Sequence, residues 1–322
     1  MVSYTKKLLF LLFGSLVLGW SQGGYAITFT FTPIDVPNAS FGRTFAYGIN
    51  DVGQVVGNFS NTPGYVHGFV KDGAIYTQID NPFESFFRSR TAAMGINNKG
   101  QIIGSFDDIG GNTHGFIKDG AIFTAFDVPG VRFTYPNGIN DVGQIVGFFI
   151  DATGMYAYGF VKDGAIFTSI EIPGATSTVA NGINNMGQIV GFFNDPNGNI
   201  YSFIKDGAIY TQVDNVPGAY YTYPFGINDI GQLVGYFTDD ATEMYAHGFM
   251  KDGIMFTPID VPGATSTVAY GINNVGQIVG SFYDASGHHG FIATPVTMPE
   301  PDTGLLLGAG AMGLGLGWRY RR

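Results

Sequence analysis

The histidines and the clustered acids are the residues best able to do chemistry. His67, His114, His247 and His289 each stand before Gly-Phe, and His288 beside His289 is the only adjacent pair. An imidazole can ligate a metal or move a proton near neutral pH. Zinc, however, needs its ligands to converge at about 2 Å, and equivalent positions on the third strands of separate units, about 10 Å from the innermost strand at about 4.8 Å per strand, would be too far apart to share one ion, so these histidines read as structural strand residues. Asp107-Asp108, Asp195 with Asn197 and Asn199, and Asp239-Asp240 with Glu243 offer oxygen ligands. Calcium prefers six to eight of these, but no stretch fits an EF-hand or an RTX pattern. Turn formation by Asp, Asn and Gly accounts for the same residues. The expectation is therefore no cofactor, with calcium the one candidate. Tyr220, Tyr221 and Tyr223 read as a connection between units, near Asp239 and Asp240, and Phe83, Phe86 and Phe87 stand beside Arg88 and Arg90. Aromatic faces next to charged groups can stack on sugar rings, or the same rings can pack between units. There is no Gly-x-Ser-x-Gly elbow, no phosphate-binding Gly-x-x-x-x-Gly-Lys loop and no HExxH, so an enzyme is not expected.

These residues must be positioned by a repeat. Gly-Ile-Asn begins at Gly48, Gly95, Gly138, Gly182, Gly226 and Gly271, at spacings of 43 to 47 residues. A fixed period of this length marks a repeat architecture. Within the third copy, Asn140-Asp141-Val142-Gly143 and Lys162-Asp163-Gly164 are tight-turn signals. The runs between them are rich in β-branched and aromatic residues. Each unit therefore reads as four short antiparallel strands, the arithmetic of a β-propeller blade. Near-continuous apolar runs such as Ile145-Val146-Gly147-Phe148-Phe149 suit sheets covered on both faces.

An offset in the count predicts closure. The fourth-strand pattern, aromatic-Thr-x-apolar-acid, first occurs at Phe31 to Asp35, before any Gly-Ile-Asn, and none follows the last third strand at Gly290-Phe291. An unplaced strand at the front and a vacancy at the back fill each other in a ring, which removes two free edges. The predicted fold is all-β, a six-bladed propeller of four antiparallel strands per blade, closed by the N-terminal strand. The Asn-x-x-Gly and Lys-Asp-Gly turns share one end and hardly vary. The second-to-third loops and the connections between units share the other end and do vary, so specificity is expected there.

The two ends of the chain read as processing segments. Residues 1–26 have Lys6 and Lys7, an apolar stretch from Leu8 to Leu18, and small residues up to Ala26, as a secretory signal peptide does. No cysteine is present, so the exported fold relies on its core alone. Between Ile27 and Met298 there are 23 acidic and 10 basic side chains. That excess argues against nucleic acid, which is bound by neutralising phosphates.

Two resemblances follow. Gly-Ile-Asn-Asn-x-Gly-Gln-Ile-Val-Gly with His-Gly-Phe resembles the HAF repeat of bacterial extracellular proteins, with Gly for the middle residue and with departures at Tyr158-Gly159-Phe160 and Tyr201-Ser202-Phe203. That family brings no assigned chemistry. Pro299-Glu300-Pro301, the apolar 305–318 and then Arg319, Arg321 and Arg322 are similar to a PEP-CTERM sorting signal. The resemblance implies a Gram-negative-type host, processing by signal peptidase and an exosortase, transient inner-membrane anchoring through 305–318, and a final place at the surface or outside it. The expected domains are 1–26, the propeller 27–298 and the sorting signal 299–322. The expected function is non-catalytic binding of extracellular polymer, an exopolysaccharide or biofilm matrix. The alternatives are a polysaccharide hydrolase or lyase and a purely structural surface protein.

Overall fold

The first and second strands of each unit meet at a turn that the sequence writes almost identically six times. In the third unit, Asn140 Oδ1 accepts the backbone N–H of Gln144 at 2.9 Å, Asn140 Nδ2 donates to Gln144 Oε1 at 2.9 Å, and Gly143 takes φ +90°. One side chain thus satisfies the turn that a β-strand cannot. In this computed structural model, which describes residues 27–39, 43–82, 90–240, 242 and 245–296, the described residues form strands and turns and no helix. Ala26, Phe83, Phe86, Phe87, Arg88, Glu243 and the whole of 299–322, with Pro299, Glu300, Pro301, Arg319, Arg321 and Arg322, lie outside them. Among the described residues no helix is long and apolar enough to cross a membrane. The segment 305–318 also lies outside that range.

Phe29–Val296 pack as one unit. In the third repeat β10 (Phe133–Ile139), β11 (Ile145–Ile150), β12 (Ala157–Asp163) and β13 (Ile166–Ile170) pair antiparallel in that order. Ile145 and Val146 are both fully buried although they point to opposite faces, because neighbouring units cover both sides. The third strand places a fully buried phenylalanine in every repeat: Phe69, Phe116, Phe160, Phe203, Phe249 and Phe291. Each is worth roughly 1.5–3 kcal/mol of burial. Gly147 is required because a Cβ there would lie 2.0 Å from the carbonyl oxygen of Tyr135.

The N-terminal strand pairs with the last strand of the sequence. β1 (Thr28–Ile34) is hydrogen-bonded to β24 (Gly287–Val296), giving the sheet order β1-β24-β23-β22, with β23 at Ile278–Asp284 and β22 at Ser266–Ile272. Ile34 is fully buried with Ala46 and Phe69 of the first repeat and Val279 of the last. Eight strands are counted in one sheet only because a single parallel bridge, Phe133 opposite Thr113, joins β10 to β8 (Thr113–Asp119).

Side-chain hydrogen bonds run from each repeat to the next and from the last to the first. Buried Asn50, Asn97, Asn140, Asn184, Asn228 and Asn273 each donate Nδ2 to the carbonyl of the next member, at 3.0 to 3.3 Å, and Asn273 donates to Asn50 O. Beside them Asp51, Asn98, Asp141, Asn185, Asp229 and Asn274 alternate acid and amide. Each amide Nδ2 donates to both flanking carboxylates at 2.8 to 3.0 Å.

One reading needs correction. Tyr221 and Tyr223 belong to the strand β18 (Tyr221–Ile227) and are not connection residues. The connection ends earlier because it is tied tightly. Ala219 N donates to Val216 O at 2.9 Å, and Thr222 Oγ1 accepts from Val216 N at 3.0 Å.

Candidate functional site

The first strand of every repeat carries a bulge just before Gly-Ile-Asn. The register slips between Ala46 and Gly48, and likewise at Ala93/Gly95, Pro136/Gly138, Ala180/Gly182, Pro224/Gly226 and Ala269/Gly271. A bulge re-aims the side chain it displaces. The displaced residues, Tyr47, Met94, Asn137, Asn181, Phe225 and Tyr270, line one narrow cavity of about 80 Å³ together with their Gly-Ile neighbours. At the turn end the alternating Asp/Asn ring lines another of about 70 Å³. Burial pushes the Tyr47 and Tyr270 hydroxyls well above the ordinary phenol range, and Tyr270 adds to the effect on Tyr47. Both phenols are therefore neutral hydrogen-bonding groups.

Toward the loop end the space beside the first strands is filled in some repeats and open in others, and cross-strand pairs decide which. Tyr135 opposes Phe148, Val179 opposes Phe192 and Tyr223 opposes Tyr236. Tyr135 and Phe148 stack at 4.8 Å, Tyr223 and Tyr236 at 4.8 Å, and Phe192 meets Tyr223 edge-on at 5.3 Å. The other three pairs each bring a small polar residue opposite the first strand: Asn58 opposite Phe45, Ser105 opposite Ala92 and Ser281 opposite Val268. A cavity of about 530 Å³ opens there. Its polar lining includes Arg43, Arg90, Asp107, Asn58 and His288, and its aromatic lining Phe45, Tyr47 and Tyr135. Arg90 Nε stands 3.8 Å from Asp107 Oδ2, and Thr113 Oγ1 donates to Asp107 Oδ1 at 2.9 Å. Burial and then Arg43 and His289 hold the His288 imidazole below its ordinary value, so it is neutral. Tyr47 also borders a second, apolar cavity of about 280 Å³ with Met94, Phe148, Phe192, Phe225 and Tyr270. Donors, acceptors and aromatic faces in one cleft suit a polyhydroxylated ligand.

The histidines of the His-Gly-Phe triplets serve the sheet. Each Nδ1 meets the acid that ends a fourth strand: His67 with Asp80 at 2.7 Å, His114 with Asp127 at 2.9 Å, His247 with Asp260 at 3.2 Å, and His289 with Asp35 at 2.7 Å. The last pair ties β1 to β24. His114 also faces Asp108 through Nε2 at 3.2 Å. Burial opposes its charge, but the bonds to Asp127 and Asp108 outweigh this and raise its pKa. Among the described residues no group of three or more His, Cys, Asp or Glu is arranged to hold a metal ion.

The residues singled out from the sequence fall into two places. Tyr220, Tyr221 and Asp239 share one repeat: Tyr221 opposes Thr238, Tyr220 packs edge-on to Tyr221 at 4.6 Å, and Asp239 stands 3.7 Å from His247. Asp240 Oδ1 accepts from Thr242 in the adjoining loop, and Tyr223 is only 5% exposed beneath that group. Arg90 belongs to the large cavity instead, and Arg88 lies outside the described residues. Sequence reasoning missed Arg43, Tyr47 and Asn58, and singled out Asp107 only as an oxygen ligand or turn acid. The position before each Gly-Ile-Asn carried a signal, since it varies among Tyr, Met, Asn and Phe while its neighbours hardly change.

Residues 299–322 match the PEP-CTERM protein-sorting motif. The chain thus carries a signal that sorts it to the cell envelope or surface of a Gram-negative-type bacterium. No curated protein matches it. Among solved structures it is similar to the fucose-specific lectin from Aleuria aurantia, at 13% identity over 82% of this chain and 99% of that chain, with a TM-score of 0.53. A mutant of that lectin in complex with Fucα1-6GlcNAc is similar at 12% identity over 82% and 99%, with a TM-score of 0.52. At such identities the likeness is one of fold, an all-β arrangement of the lectin propeller type.

Proposed function

We propose that this chain is an exported, non-catalytic carbohydrate-binding propeller that acts on extracellular polysaccharide at the cell surface. In this reading residues 1–26 are removed as a signal peptide, 27–298 form a closed six-bladed ring of HAF-type repeats, and an exosortase processes 299–322 after 305–318 has held the chain at the inner membrane. The pairing of β1 with β24 and the Asn273-to-Asn50 bond support closure. The observation that carries the function is the 530 Å³ cavity at the variable loop end, where aromatic faces stand beside Arg43, Arg90, Asp107 and Asn58. The exposed side chains agree with it. Among the described residues every exposed large tyrosine lies at the loop end, whereas all but two of the exposed large aliphatics, Ile109 and Met155, lie at the turn end. Tyrosine is the side chain that stacks on a sugar and still meets water. The lectin fold of the solved relatives supports the same reading.

The test fills the cavity without disturbing the fold. Because the next repeat already holds Tyr135 and Phe148 at the equivalent positions, Ala92→Tyr with Ser105→Phe should fold and occupy the space. Binding of the purified chain to the host's matrix polysaccharide, followed by titration calorimetry, should be lost with an unchanged melting temperature. Unchanged affinity in that variant would remove the cavity from the function.

A further inference from the structure

Basic side chains are sorted by type between the two ends of the fold. Among the described residues every lysine lies at the turn end: Lys71, Lys118, Lys162, Lys205 and Lys251 donate to the glycine carbonyls of their own Lys-Asp-Gly turns, and Lys99 sits in an Asn-x-x-Gly turn. Every described arginine lies at the loop end. Arg43, Arg90 and Arg132 each immediately precede the first strand of three consecutive repeats, where the other three repeats have Thr176, Tyr220 and Thr265. The three guanidinium groups therefore form an arc on one side of the bore, the side on which the large cavity opens. Arg43 and Arg90 line that cavity. Arg132 adjoins that lining through its carbonyl, which accepts the N–H of Thr113 at 3.0 Å, and its Nε donates to Asn112 Oδ1 at 2.9 Å with the guanidinium 5.6 Å from the centre of the Phe133 ring.

The arc stands out against the charge of the chain, which is −10 overall. Asp107 is the one carboxylate in the cavity lining, and it is shared between Arg90 and the Thr113 hydroxyl. Among the described residues no carboxylate forms an ion pair with Arg43 or Arg132. Arginine differs from lysine in offering a planar fork of donors that matches a carboxylate in two parallel bonds. Three such forks along one arc, with every other described cation a lysine at the far end, fit a polymer that carries anions at intervals.

We propose that the polysaccharide bound here is acidic, with uronate-type carboxylates held by Arg43, Arg90 and Arg132 while its rings lie against Tyr135 and Phe45. The proposal rests on the carbohydrate-binding reading and narrows it. Polygalacturonate and its fully methyl-esterified form share a backbone and differ only in the carboxylate charge, so they separate the two ideas. The full-length chain should bind the acid form at least about tenfold more tightly than the ester, the difference expected for charge-assisted bidentate contacts. Arg90→Gln and Arg43→Gln should each weaken the acid form by about tenfold and leave the ester unchanged, and the preference should shrink as salt is raised. Lys71→Gln, at the opposite end, should change neither. Equal affinity for both forms would overturn the acidic assignment and leave carbohydrate binding standing. Binding of neither form, in a chain with a normal melting transition, would overturn both.

Discussion

Asn98→Asp is the substitution that most sharply tests the alternating acid–amide ring. In the native chain the Asn98 amide bridges two carboxylates, donating to Asp51 Oδ2 at 2.8 Å and to Asp141 Oδ2 at 3.0 Å. A third carboxylate in its place turns two donor bonds into two repulsive pairs. If the groups rotate to about 4 Å, each pair costs roughly 1 kcal/mol in bulk water and roughly 4 kcal/mol at an effective dielectric of 20. Asn98 is exposed and the two acids half-buried, so screening is substantial, and about 2 kcal/mol per pair is reasonable. The two lost hydrogen bonds add about 1 kcal/mol each. Asn98→Asp should therefore destabilise by roughly 6 kcal/mol and Asn98→Ala by roughly 2 kcal/mol. Scanning calorimetry at pH 7 should show a larger fall in Tm for the acid variant, by some 8–16 °C at about 2–4 °C per kcal/mol. The added carboxylate has a folded pKa above its unfolded one, so the penalty is present at neutral pH and disappears as pH falls below the ordinary carboxylate range. It should also shrink in 1 M salt, where the screening length is about 3 Å. An Asn98→Asp variant no less stable than Asn98→Ala at pH 7, or one equally destabilised at pH 3.5, would refute the alternation as an electrostatic device.

Two further outcomes follow from the same geometry. Ile34→Ala removes a fully buried side chain where β1 meets the first repeat and should cost about 2–5 kcal/mol in urea unfolding; a loss below about 1 kcal/mol would mean that closure through β1 adds little. His114 has a raised pKa between Asp127 and Asp108. Its contribution is full below the unfolded value of 6.5 and is lost as pH rises through the higher folded value. His114→Gln should flatten that part of the stability profile above pH 6, and an unaltered profile would show that the imidazole is not charged in the folded chain.

The repeat count, the strand runs and the tight turns were legible because they depend on local chemistry. Asn140 and Gly143 make their turn wherever they are placed, and Ile145-Val146 is apolar on both sides whatever covers it. The vacancy for β1 was legible by counting. The recurrence of acid at Asp80, Asp127 and Asp260 was visible too, but its partner was not, since each histidine meets its acid across two strands, 13 residues away. The placing of Tyr221 and Tyr223 failed because the length of a connection is set by how tightly it is tied. No pattern of residue types shows that Thr222 hooks back to Val216.

What the sequence determined alone is the unit: four short strands, two constant turns, an amide or acid at each ring position, and a sorting signal at the end. What only the tertiary structure decided is which residues of separate repeats face one another. Arg43, Arg90 and Asp107 come together because they stand at the loop ends of neighbouring repeats and because Ala92 and Ser105 leave empty the space that Tyr135 and Phe148 fill in the next repeat. A turn is fixed by bonds within a few residues. A cavity is fixed by the volumes of side chains contributed by separate repeats, and the linear chain does not reveal their sum.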